Sequence, residues 1–66
     1  MTITVNGQTR EVPDDTRLDT LLEDLHVRVE AVAVAVNLIV VPRRSLRDVE
    51  LKPDDRVEVV RAVGGG

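Results

Sequence analysis

Residues 30–37 read Glu-Ala-Val-Ala-Val-Ala-Val-Asn, a strict alternation of small and larger side chains that is apolar from Ala31 to Val36. A period of two puts every Val on one face of an extended strand and every Ala on the other. A chain with such a segment needs a sheet, and the sheet needs something to cover its Val face. The flanking sequence supplies further strands. Thr2-Ile3-Thr4-Val5 alternates polar and apolar, and Asn6-Gly7 then offers the positive φ angles of a two-residue hairpin turn. Gln8 to Val12 reads as the returning strand, stopped by Pro13, which has no N–H for a ladder. Ile39-Val40-Val41, ended by Pro42, and Arg56 to Val63 read as two more strands. Asn37 and Pro53-Asp54-Asp55 read as turns.

The cover is a leucine stripe. Leu18, Leu21, Leu22 and Leu25 recur at i, i+3, i+4 and i+7, which places them on one side of a helix. The helix is expected to start near Asp15 or Thr16, either of which can cap the free N–H groups of its first turn. Thr16 with Asp19 resembles a capping box. Ser45-Leu46-Arg47-Asp48 reads as a single capped helical turn. The order is hairpin, helix, two strands, short helical turn, strand. It predicts an α+β fold with one main helix on one face of a mixed sheet of about five strands, the order of the ubiquitin-like β-grasp. Sixty-six residues allow one domain, read as residues 1–63 with a flexible glycine tail at 64–66.

Composition excludes whole classes of chemistry. The chain has no cysteine and one histidine, so neither a thiolate nucleophile nor a multi-histidine metal site can be built. It has no Phe, Tyr or Trp on which a nucleic-acid base could stack, and its net charge is −3, which disfavours polyanion partners. No apolar run reaches the ~20 residues of a membrane span, and the first residues lack the pattern of a signal peptide. The expectation is a cytoplasmic protein, monomeric by itself, with no bound metal or cofactor and neither nucleic acid nor membrane as partner.

The polar side chains offer little for catalysis. His26 follows the leucine stripe, where a helix dipole accounts for it better than a catalytic role. Ser45 is read as a cap. Asp14, Asp15, Asp19, Glu23 and Asp24 lack the spacing and the glycine of a calcium loop and are read as a solvated helix start. Arg43, Arg44 and Arg47 are read as surface contacts. The exception is the end of the sequence, Gly64-Gly65-Gly66. Three glycines without side chains can be threaded through a narrow channel and extend about 10 Å. Such a tail could bring a terminal carboxylate into another protein's active site, where ATP could activate it as an acyl-adenylate.

The hairpin opening, Val36-Asn37 followed by Val41-Pro42-Arg43, and the terminal Gly-Gly in a chain of this length resemble the ThiS family, sulfur carriers of thiamine biosynthesis. The resemblance covers essentially the whole sequence. It implies a protein co-substrate and not an enzyme. A partner adenylyltransferase related to ubiquitin-activating enzymes would adenylate the Gly66 carboxylate with ATP and magnesium. A persulfide from a cysteine desulfurase or its relay would convert it to a thiocarboxylate, and thiazole synthase would take the sulfur. Val63, Gly64 and Gly65 would be the threaded segment. Alternation alone places Val60, Ala62, Ala33 and Ala35 on the sheet face away from the leucines, where they are expected to form a flat partner-docking patch. A molybdopterin-synthase small subunit, a protein-modifying tag and a β-grasp interaction module without tail chemistry are the alternatives.

Overall fold

The computed structural model of the chain describes residues 1–61. Strands β1 (Thr2–Val5), β2 (Gln8–Glu11), β3 (Val32–Val36), β4 (Ile39–Val41) and β5 (Arg56–Arg61) form a sheet in the order β2-β1-β5-β3-β4. The central pair, β1 and β5, is parallel and every other pair antiparallel. Helix α1 (Leu18–Asp24) packs on one face. This is the mixed-sheet β-grasp arrangement expected from the element order.

The core lies between α1 and the sheet. Leu18, Leu21 and Leu22 are fully buried against Ile3, Val34 and Val57, and Leu46 and Leu51 close the side. Leu25, the last residue of the stripe, sits in the C-cap and is half-buried. The Val side chains of β3 and the odd-numbered valines of β5 belong to this core, so the alternation in both strands is the pattern of one buried face.

The helix start departs from expectation. Asp15 adopts a left-handed backbone (φ 68°), so the helix cannot begin there. The N-cap is Arg17, with no side-chain cap, and the Thr16 hydroxyl donates to the Pro13 carbonyl at 2.6 Å. Thr16 is buried, and its carbonyl accepts from Leu51 N at 2.9 Å. Its hydroxyl thus closes the turn after β2 while its backbone ties that turn to the residue before Lys52. The capping box is absent for the same reason. Ser45 likewise caps nothing: residues Arg43–Asp48 form a 3₁₀ segment whose N-cap is Pro42.

His26 has a conformational role. It stands just past the C-cap with φ 58°; His26 N donates to the Glu23 carbonyl at 3.0 Å and Val27 N to the Leu22 carbonyl at 3.3 Å. That is a Schellman closure of the helix, with histidine where glycine is usual. Its place directly after the helix C-terminus is the expected one, and the left-handed backbone adds a chain reversal there.

The hairpin between β3 and β4 turns on Asn37 (φ 51°) and Leu38 (φ 70°). Asparagine tolerates this geometry; a bulky leucine pays a steric penalty in it, and here the side chain is 73% exposed. Leu38→Gly is therefore expected to raise the unfolding free energy by about 0.5–1 kcal/mol, read as an upward shift of the thermal midpoint. A fall in the midpoint would mean that Leu38 holds a contact worth more than the strain.

Candidate functional site

The expected working residues, Gly66 with Val63, Gly64 and Gly65, lie outside the described residues, as does Ala62 of the expected patch; so does the expected domain boundary at 63/64. The site is therefore built from the strand that leads to them. β5 is central in the sheet, and two asparagines clamp it. At its start, Asn37 Oδ1 accepts from Arg56 N at 2.9 Å, Asn37 Nδ2 donates to Asp55 Oδ1 at 3.0 Å, and Asn37 N donates to the Arg56 carbonyl at 2.8 Å. Near its end, Asn6 Oδ1 accepts from Val59 N at 2.8 Å and Asn6 Nδ2 donates to the Val59 carbonyl at 3.2 Å. The Asn6 amide continues the ladder after β1 has turned away, because a side-chain amide offers the same donor and acceptor as a peptide group. Residues 59–61 are thus directed along the strand axis.

Register decides which residues share a face. Ala33 stands opposite Val60, and Ala35 stands opposite Glu58 on one side and Val40 on the other. Directly paired residues point the same way, and Val34, Val57 and Val59 occupy the opposite, core-facing side. The structure thus brings Val60, Ala33 and Ala35 together on the sheet face away from α1. Val60 is 60% exposed.

Val40, 70% exposed, joins this surface and was missed by the sequence reading. The signal was available: a two-residue turn at Asn37-Leu38 pairs Val36 with Ile39 and therefore Ala35 with Val40. Glu58 borders the apolar strip. The geometry is a shallow surface of small side chains beside the strand that carries residues 62–66.

Elsewhere the candidates separate. His26 lies in the turn after α1 and Ser45 in the 3₁₀ segment, and among the described residues neither side chain makes a hydrogen bond. Among the described residues no group of three or more His, Asp or Glu side chains could hold a metal ion. Among them, too, no helix is long and apolar enough to cross a membrane.

Comparison with known proteins brings these features under one heading. The thiazole synthase of Paramagnetospirillum magneticum (strain AMB-1) is 35% identical over the whole chain, and that of Magnetococcus marinus (strain MC-1) is 41% identical. The chain spans 20% of the length of each. The crystal structure of a thiamine biosynthesis protein (ThiS) from Geobacter metallireducens superposes with a TM-score of 0.88 at 33% identity, covering 100% of both chains. An NMR structure of a thiamine biosynthesis protein from the same organism gives 0.78, also at 33% identity, with all of this chain and 88% of that one covered. The family model for ThiS matches residues 3–66, and the chain belongs to the ThiS family.

Proposed function

We propose that this chain is a sulfur carrier whose Gly66 carboxylate is converted to a thiocarboxylate, and that its sulfur goes into the thiazole of thiamine. Membership of the ThiS family and the whole-chain likeness to a ThiS protein support a sulfur-carrier role. ThiS proteins are small carriers, and this chain is a carrier rather than a catalyst. The observation that carries the reading is the match to ThiS over 100% of both chains at a TM-score of 0.88. The two thiazole synthases that include a segment like this chain favour thiazole synthase as the acceptor over a molybdopterin enzyme.

The chemistry starts at the Gly66 carboxylate. A carboxylate oxygen attacks the α-phosphorus of ATP on a partner adenylyltransferase, pyrophosphate leaves, and an acyl-adenylate forms. Magnesium on that enzyme screens the phosphate charge. The outer sulfur of a persulfide, supplied through a cysteine desulfurase or its relay, attacks the acyl carbon and displaces AMP. A thiol then cleaves the resulting acyl disulfide and is oxidised to a disulfide as the thiocarboxylate leaves. The folded body supplies binding energy remote from the reacting atom, which positions it. In this reading Val60, Ala33, Ala35 and Ala62 contribute the docking patch, extended by Val40.

Intact mass spectrometry tests the proposal. After incubation with the adenylyltransferase, ATP, magnesium and a persulfide source, the chain is expected to gain the mass of one oxygen replaced by sulfur. Addition of thiazole synthase and its other substrates is expected to reverse the gain. Val60→Glu, which puts a charge on the exposed face, is expected to slow the gain about tenfold or more. An unchanged mass would reject the carrier reading, and a Val60→Glu chain that reacts at the normal rate would reject the patch.

A further inference from the structure

The helix is too short to cover the sheet. Seven helical residues rise about 10 Å, whereas the six residues of β5 run about 20 Å. Past the C-terminal end of α1 the core face of the sheet opens into a cleft of about 680 Å³. Val5, Val32 and Val59 are apolar residues of its lining, joined by Leu25 and Val27 from the segment that follows the helix. Arg10, Arg28, Arg61 and His26 also line it, and all four are exposed. Register explains two of the arginines: Arg10 pairs with the core residue Ile3 and Arg61 with Val32, so both stand on the core-facing side where the helix no longer covers it.

The charge distribution is one-sided. The protein carries a net charge of −3 and twelve Asp and Glu residues, yet none of the twelve lines this cleft. Among the described residues the one ion pair joins the Met1 amine to Asp14, so the three guanidiniums have no carboxylate partner there. Arg61 is also the last residue of β5. Five residues follow it in the sequence and reach at most about 17 Å. An enzyme that takes those residues into its active site must bring its surface up to the end of β5, where the cleft opens on one side of the strand and the Val60 surface lies on the other. Covering three guanidiniums without counter-charge would strand them away from water, which is costly. A surface that covers the cleft therefore gains by carrying carboxylates.

We infer that this cleft is a docking site for an acidic segment of thiazole synthase, with carboxylates on Arg10, Arg28 and Arg61 and an apolar side chain on the valines. The inference rests on the carrier reading and adds to it a second contact on the sheet face opposite Val60. The enzyme would then grip β5 from both sides. The apolar strip supplies buried area, and the arginines supply orientation and rate of encounter.

The test is binding of the full chain to the thiazole synthase of the same organism, measured by calorimetry across a range of salt concentrations. Arg10→Glu/Arg28→Glu is expected to bind about tenfold more weakly or worse, with a flattened salt dependence. Arg10→Lys/Arg28→Lys should keep most of the affinity. An NMR amide spectrum checks that each variant is folded. Unchanged binding by the folded glutamate variant, or salt-independent binding by the wild type, would overturn the inference. So would saturable shifts of the cleft amides with AMP or inorganic phosphate that thiazole synthase does not displace, since the cleft would then serve a small anion. If the wild type acquires sulfur and binds while the glutamate variant behaves identically, only the docking site falls. A wild type that neither acquires sulfur nor binds removes the carrier reading as well.

Discussion

Adding one alanine after Gly66 should reduce thiocarboxylate formation by about a hundredfold or more while leaving the fold untouched. The acyl carbon of Gly66 then belongs to an amide, which cannot attack ATP. The new carboxylate is displaced by one residue, roughly 3.4 Å, and carries a Cβ where the proposed channel admits only glycine. Displacement of a reacting group by even about 1 Å can cost on the order of 100-fold in rate. The measurement is the rate of mass gain in the assay above, with thermal melting as the control for folding. An extended chain that reacts at the normal rate would show that the activating enzyme does not read the position of the last residue, and the threaded-tail reading would fail.

Leu22→Ala should remove a large share of the domain's stability and melt far below the wild type. Leu22 is fully buried, one of nine buried apolar side chains among the described residues, and the sequence has no aromatic residue. Truncating a buried leucine costs about 2–5 kcal/mol, from lost transfer energy and from the cavity left behind. A domain of this size has a total stability of about 3–10 kcal/mol at ordinary per-residue values. The cost is therefore comparable with the whole. Circular dichroism should show a thermal midpoint lowered by at least about 10 °C. Leu38→Ala, at a position 73% exposed, is the matching control and should change stability by less than about 0.5 kcal/mol. A Leu22→Ala chain that melts like the wild type would mean the space refills, which a core this small has few side chains to do.

The two asparagines connect fold and function most directly. Asn6 and Asn37 each close a two-residue hairpin turn with a positive φ, and each turns its side-chain amide onto β5. The turn role is readable from the sequence, because Asn-Gly, and Asn between two apolar runs, are local signals. The clamp is not readable. Asn6 meets Val59 across 53 residues of sequence, and only the parallel pairing of β1 with β5 brings them together. The strain at Leu38 is of the same kind: nothing in Asn-Leu-Ile-Val-Val marks the leucine as left-handed until β3 and β4 are paired.

Local patterns were enough for the strands, the leucine stripe, the fold class and the segregation of valine from alanine on β3. The reason is that one buried face imposes a period on every element that touches it. Where the helix starts, and what Thr16 and Ser45 do, depended on backbone angles set by neighbouring turns, so the expected caps did not form. The outer surface of Val60, Ala33, Ala35 and Val40 needed pairing register to become one surface. The cleft lined by Arg10, Arg28 and Arg61 needed more: a helix shorter than its sheet and three arginines from distant parts of the chain. Sequence proximity carries short-range geometry; charge and shape assembled across the sheet exist only once the chain has folded.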